Sequence, residues 1–267
     1  MEVYNNEEYL KRSIMEQSRH LFIYGKECEY RHSFLKKIDD DYPLLMDSSK
    51  PTSLYFDSFG IPKLDDDLSN KDTYTMQSLS RDYLSFLIAS KIMERSAYID
   101  ESILNSKLST LINILNMSRN KGYQDIKTFT DLLKEIKDSR DFYYESYIKY
   151  VKNLRQDINR NDIVLPYLDI LMFVKLYKKA INKRSHFGII FDKSSELETF
   201  SIQAINSLIS SRINEDISIK VALELDAWET YYDVNGLLIE EPHDYGTIEL
   251  DSEHDEFIKN LKRDFNN

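Results

Sequence analysis

The chain has 267 residues, 42% of them hydrophobic and 30% charged, with a formal net charge of −11. An aromatic content of 12% excludes disorder for the bulk of the chain. No apolar run approaches the ~20 residues that a membrane helix needs, and a single cysteine, Cys28, excludes an intrachain disulfide.

The opening residues, Met1 to Asn6, are polar and acidic, so no secretory leader is expected and a reducing, cytoplasmic compartment is. The charge is uneven. Glu224 to Asn267 holds 13 Asp and Glu against three Lys and Arg, so the rest of the chain is nearly neutral. Bulk charge therefore argues against wholesale nucleic-acid binding, which needs a basic surface. The acidic end reads as a solvated face, with a basic partner surface as the sharper alternative.

Six glycines and five prolines are too few for a many-stranded sandwich with tight turns. Short strand-like runs sit at Leu21–Tyr24, Leu54–Phe56, Gly188–Phe191, Ile217–Leu223 and Thr247–Leu250. Helical patterns follow the first run at Tyr30–Ile38 and the third at Leu197–Ile213. Alternating strands and helices predict a parallel α/β sheet flanked by helices. Between the second and third strand runs, apolar residues recur at three- and four-residue spacing from about Tyr74 to Arg184. Asp162 is the expected start of its last helix, and Asp192, Ser194 and Ser195 are equally suited to cap the helix after the third strand. The division expected is 1–73, first half of the core; 74–184, an all-helical insertion; 185–267, second half with the acidic end. Trp228, Tyr231 and Tyr232 before Asn235-Gly236, then Leu237–Ile239, predict a β-hairpin packed on the sheet.

The first strand ends in Gly25, and a helix is running seven residues later. That is the layout of a strand, phosphate loop and helix. Set against the spacing G-x-x-x-x-G-K-[ST], the second glycine position is Tyr30, the lysine position is Arg31 and the hydroxyl position is His32. Tyrosine loses the freedom of glycine, arginine keeps only the charge, and histidine offers no hydroxyl for Mg²⁺. Ser33 comes one residue late. The third strand run ends in Asp192, where a buried strand presents a carboxylate to Mg²⁺ in nucleotide-binding sheets. Lys193 follows where hydrolytic sites carry a Glu, and Glu196 is a poor geometric substitute. The plain alternatives are an ordinary strand–helix turn at Gly25 and a helix-capping role for Asp192.

The five histidines lack the close Cys/His spacing of a zinc site. His243-Asp244 and His254-Asp255 read as surface loops, and Cys28 as an inert thiol.

Taken together, His20-Leu-Phe-Ile-Tyr-Gly25, Phe34-Leu-Lys-Lys-Ile38, Phe187-Gly-Ile-Ile-Phe-Asp192 and Gln203–Arg212 resemble AAA+ ATPases of the origin-recognition type. Ile217–Leu223 is similar to their sensor strand. Pro242-His-Asp-Tyr245 with Ile248-Glu-Leu-Asp251 resembles the segment that ends the core in bacterial relatives. The resemblance covers about residues 15–60 and 185–252, not the helical middle. It implies a P-loop-type fold and a degenerate nucleotide site at Gly25, Arg31, His32, Ser33 and Asp192. It implies ATP or ADP with Mg²⁺ as the candidate cofactor, or none, with Asp192 as the Mg²⁺ ligand, and Arg212 as an arginine reaching a neighbouring subunit. A protein partner or homo-oligomer is expected, with no membrane. Bacterial relatives are often encoded in antiviral-defence settings. Tyr30, His32 and Lys193 depart from the pattern, the sensor strand lacks a terminal Asn or Ser, and no C-terminal lid is expected. The expected function is a non-hydrolysing regulatory or assembly subunit. The alternatives are a working ATPase using Arg31, Ser33 and Glu196, and an interaction module indifferent to nucleotide.

Overall fold

The computed structural model of the chain describes residues 6–25, 28–45, 48–57, 72–118, 126–152, 168–193, 197–211, 215–224 and 227–250. Five strands form one parallel sheet: β1 (His20–Tyr24), β2 (Thr52–Phe56), β3 (Phe187–Phe191), β4 (Ile217–Leu223) and β5 (Tyr245–Glu249). Their spatial order is β2-β3-β4-β1-β5. Every residue of β2, β3 and β4 is buried. Parallel strands covered on both faces favour apolar runs; β3 is unbroken, whereas β2 begins with Thr52 and Ser53 and β4 carries Ser218 and Lys220.

Helices cover both faces. Leu21, Ile23, Tyr55, Ile190 and Ala222 meet α1 (Asn6–Met15) and α2 (Cys28–Asp41) through Ile14, Met15, Phe34, Leu35 and Ile38. The opposite face, with Phe22, Leu54, Ile189, Ile219 and Val221, is covered by the remaining helices. These are α3 (Thr73–Arg95), α4 (Glu101–Ser118), α5 (Phe129–Val151), α6 (Ile170–Ile181) and α7 (Thr199–Ser210). Four of them, α3 to α6, separate β2 from β3 in the chain. They share a single apolar core with the sheet, and α3 packs against both α5 and α7. No helix among the described residues is long and apolar enough to cross a membrane.

Several expectations need correction. The helix α1 has no counterpart in the sequence reading. The last helix before β3 starts after Asp169, whose carboxylate accepts from Leu171 N and Met172 N; Asp162 lies outside the described residues. The helix α7 starts after Glu198, whose side chain accepts from Phe200 N; Ser194 and Ser195 lie outside the described residues. The hairpin shrinks to one antiparallel bridge, Tyr232 to Leu238, around a turn with Gly236 at φ +75°. Trp228 and Tyr231 pack on Phe22, but Tyr232 stands in solvent.

Two buried histidines sit where β1 and β3 begin, and a buried lysine reaches back towards the start of β1 from the middle of β4. His20 accepts the Ile219 amide on Nδ1 at 2.9 Å, which requires that nitrogen unprotonated. Burial, reinforced by the Lys220 charge, lowers its pKa to about 4, and does the same for His186. Lys220 is fully buried on β4 and donates from Nζ to the Gln17 and Arg19 carbonyls beyond α1; burial lowers its pKa to about 7.

Candidate functional site

The strand register brings Gly25 and Asp192 to the same, C-terminal end of the sheet. The last residues of β1 and β4 pair as Tyr24 with Leu223, and those of β2 and β3 as Phe56 with Phe191. Gly25 N donates to Leu223 O, and Asp192 N donates to Phe56 O at 2.9 Å. The two residues therefore continue the edge of the sheet just beyond β1 and β3. In open parallel sheets, ligands bind outside these carboxyl ends, where the strand order reverses. The path from β1 leads away towards β2, and β4 leads back across β1 to β5, so the reversal lies at β1.

The helix α2 rises from this edge and carries Arg31 and His32 in its first turns. Arg31 is buried, at 2% exposure, and turns inward. Its Nη1 donates to the Gly25 carbonyl at 2.7 Å, and its Nε pairs with Asp192 Oδ1 at 3.4 Å. His32 Nδ1 lies 3.2 Å from Asp192 Oδ2 and 2.7 Å from the Tyr55 hydroxyl. The Tyr55 hydroxyl donates to Asp192 Oδ2 at 2.9 Å. Burial raises the Tyr55 pKa, and the Asp192 charge raises it further, so this phenol stays a donor. Lys193 N donates to Asp192 Oδ1 at 2.8 Å. That closure holds Lys193 at φ +54°, a left-handed conformation that costs a lysine energy.

Asp192 is fully buried, and both of its oxygens are engaged by the protein itself. Paired in this way, a buried carboxylate escapes the desolvation penalty of an isolated charge. The same pairing leaves little of it for a metal. A bound Mg²⁺ nucleotide asks for a cation aimed at phosphate, a hydroxyl on the metal and a carboxylate beside it. Here the guanidinium faces a carbonyl and a carboxylate, an imidazole stands at the hydroxyl position, and the carboxylate is saturated. These residues do not fit a Mg²⁺ nucleotide in this arrangement.

Four of the sequence-derived positions, Gly25, Arg31, His32 and Asp192, thus meet in one cluster. Ser33 does not join it and is exposed on α2. Tyr30 stacks on Phe34, with ring centroids 6.1 Å apart. Arg212, Glu196 and the Cys28 side chain lie outside the described residues, as do the loop residues 26 and 27. Sequence reasoning missed Tyr55. Its only signal is a tyrosine between Leu54 and Phe56, one residue from the strand's end. Asp39 of α2 fixes it by accepting Tyr55 N at 3.1 Å, and Asp39 also pairs with Arg95 of α3.

Residues 64–265 match a family model described as ORC-CDC6-like. The match takes in the helical middle, which the resemblance in sequence leaves out. It begins beyond β1, α2 and β2, so it does not draw on Gly25, Arg31 or His32. No curated protein matches the chain. A parallel five-stranded sheet flanked by helices agrees with a P-loop-type α/β fold. With about three quarters of its length inside the family model, the chain belongs to the ORC-CDC6-like family and is related to the AAA+ ATPases.

Proposed function

We propose that this chain is a non-hydrolysing member of its family, a regulatory or assembly subunit that works through protein contacts. The observation that supports this reading is the closed cluster at Asp192. Arg31 holds the charge that a phosphate-loop lysine would hold, but spends it on Asp192 and the Gly25 carbonyl. The ion pair then takes over the structural part that nucleotide and metal play in a working relative, tying β1, α2 and β3 together. Ser33, the hydroxyl that an ATPase reading needs, is exposed on α2 and outside the cluster. A cytoplasmic bacterial complex, including one serving antiviral defence, is the setting this proposal carries over from the resemblance.

The test is ATP turnover by the purified chain with Mg²⁺. Phosphate release at the level of the protein-free blank, unchanged by Asp192→Ala, is expected. Turnover in the range of ordinary enzymes, about 1 s⁻¹ or more, abolished by Asp192→Ala, would sink the proposal.

A further inference from the structure

Two surface features of opposite charge stand at opposite edges of the sheet. The first is the turn at 231–239. It is anchored hard on its inner side: Asn206 of α7 donates from Nδ2 to the Thr230 and Tyr232 carbonyls, each at 2.9 Å. The buried Asp233 carboxylate accepts from Asn235 N and Leu237 N, each at 2.8 Å. The outer side is apolar. Tyr232, Leu237 and Leu238 are 52%, 60% and 46% exposed, and the bridge from Tyr232 to Leu238 puts those two on one face. Residues 227–250 contain no Lys or Arg, and Glu229, Glu240 and Glu241 are exposed around the tip. A rigid backbone presenting apolar side chains is pre-organised, so docking costs it little conformational entropy.

The second feature is the outer face of α6. Met172, Lys175 and Lys179 follow at i, i+3 and i+7, so they share one face, and all three are exposed. No Asp or Glu occurs between Asp169 and Asp192. Among the described residues neither Lys175 nor Lys179 makes an ion pair. This face is apolar at one end and cationic along the rest, the complement of the turn.

The two cannot meet within one molecule. Lys183, just past α6, donates from Nζ to the Lys50 carbonyl at 2.9 Å, which fixes that end of α6 beside the entry to β2. The turn is fixed instead on β1 and β5, through Tyr231 against Phe22 and Tyr245. Strands β2 and β5 are the two edges of the sheet. We infer that a second copy of the chain is the occupant: the turn of one copy docks on the α6 face of the next. Such a contact is heterologous and leaves a free turn at one end and a free α6 at the other, so it propagates to a ring or an open chain. It needs no nucleotide, and it stands or falls separately from the state of the Asp192 cluster.

Sedimentation velocity tests it on the full chain. Association should rise with protein concentration and weaken at about 0.5 M salt, where screening shortens to a few ångströms. Glu229→Lys with Glu240→Lys, and separately Lys175→Glu with Lys179→Glu, should each leave a folded monomer. Mixing the two variants should restore association, because each then meets its complement. Leu238→Ser should weaken association at any salt. A wild-type chain that stays monomeric at low salt and high concentration overturns the inference. So does association that neither charge reversal changes.

Discussion

Replacing Arg31 by methionine is expected to cost about 3–5 kcal/mol of stability in the absence of any nucleotide. The side chain is nearly the size of the original, so the loss measures charge rather than volume. Arg31 and Asp192 are both buried, and removing one strands the other without compensation. Asp192→Asn should be destabilising for the same reason, with the guanidinium then left facing an amide. The double variant should lose less than the sum of the two, because the residues act as a pair. Urea denaturation of the four proteins gives all these values. Were Arg31 a phosphate-binding side chain waiting in solvent, the methionine variant would change stability by no more than about 0.5 kcal/mol. If the methionine variant does not fold, Arg31→Lys keeps the charge but not the fork, and should fall between the two.

The second large effect is acid sensitivity. His20 and His186 have pKa values near 4 in the folded chain, against about 6.5 when unfolded. Above pH 6.5 both states are neutral and the histidines contribute nothing. As the pH falls from 6.5 towards 4, the unfolded chain binds protons that the folded chain refuses, so stability falls. At pH 5 the loss is about 2 kcal/mol for each histidine. Asp82 opposes it, because burial raises its pKa to about 6, and its protonation favours the folded state over part of the same range. A comparison of variants cancels that contribution. His20→Asn keeps an acceptor for the Ile219 amide, and His186→Asn removes the second ionisable ring. Measured by urea denaturation at pH 7 and pH 5, the double variant should lose about 4 kcal/mol less than wild type. Equal losses would mean that neither ring stays neutral when folded.

The strands were legible in the sequence because a sheet covered on both faces leaves unbroken runs such as Phe187–Phe191. The cluster was legible in part because backbone geometry fixes its spacing: a strand ending in Gly25 and a helix carrying Arg31 six residues on must stand at one end of the sheet. Which way Arg31 turns is a different kind of fact. It depends on Asp192 being close and on Tyr55 and His32 filling the remaining space, and those contacts join residues 23 to 161 positions apart in the chain. Tyr55 was therefore invisible as part of a site, although its strand was read correctly. The helix α1 escaped because, among the described side chains of NEEYLKRSIM, Leu10, Ile14 and Met15 are the buried ones, a stripe too narrow to stand out among its charges. The start of α6 at Ile170 is set by Asp169, whose carboxylate accepts from two amides; Asp162, an equally good cap in sequence, lies outside the described residues. At 231–239 the Asn-Gly turn closes a hairpin, with Asp233 N donating to Leu237 O and Ile239 N to Tyr231 O, each at 2.9 Å. It stays short, with one bridge from Tyr232 to Leu238, and Leu237 N donates to the Asp233 carboxylate at the turn.

The most direct test of the closed site is thermal unfolding of the wild-type chain with Mg²⁺ and ATP, ADP or GTP, beside Arg31→Ala. A ligand that binds only the folded state adds about 2.7 kcal/mol at 100 times its dissociation constant, a shift easily read in the midpoint. The closed cluster predicts no shift with any of the three, and a lower midpoint for Arg31→Ala with or without them. A midpoint that rises with nucleotide in wild type, and no longer rises in Arg31→Ala, would contradict it and make Arg31 a phosphate ligand.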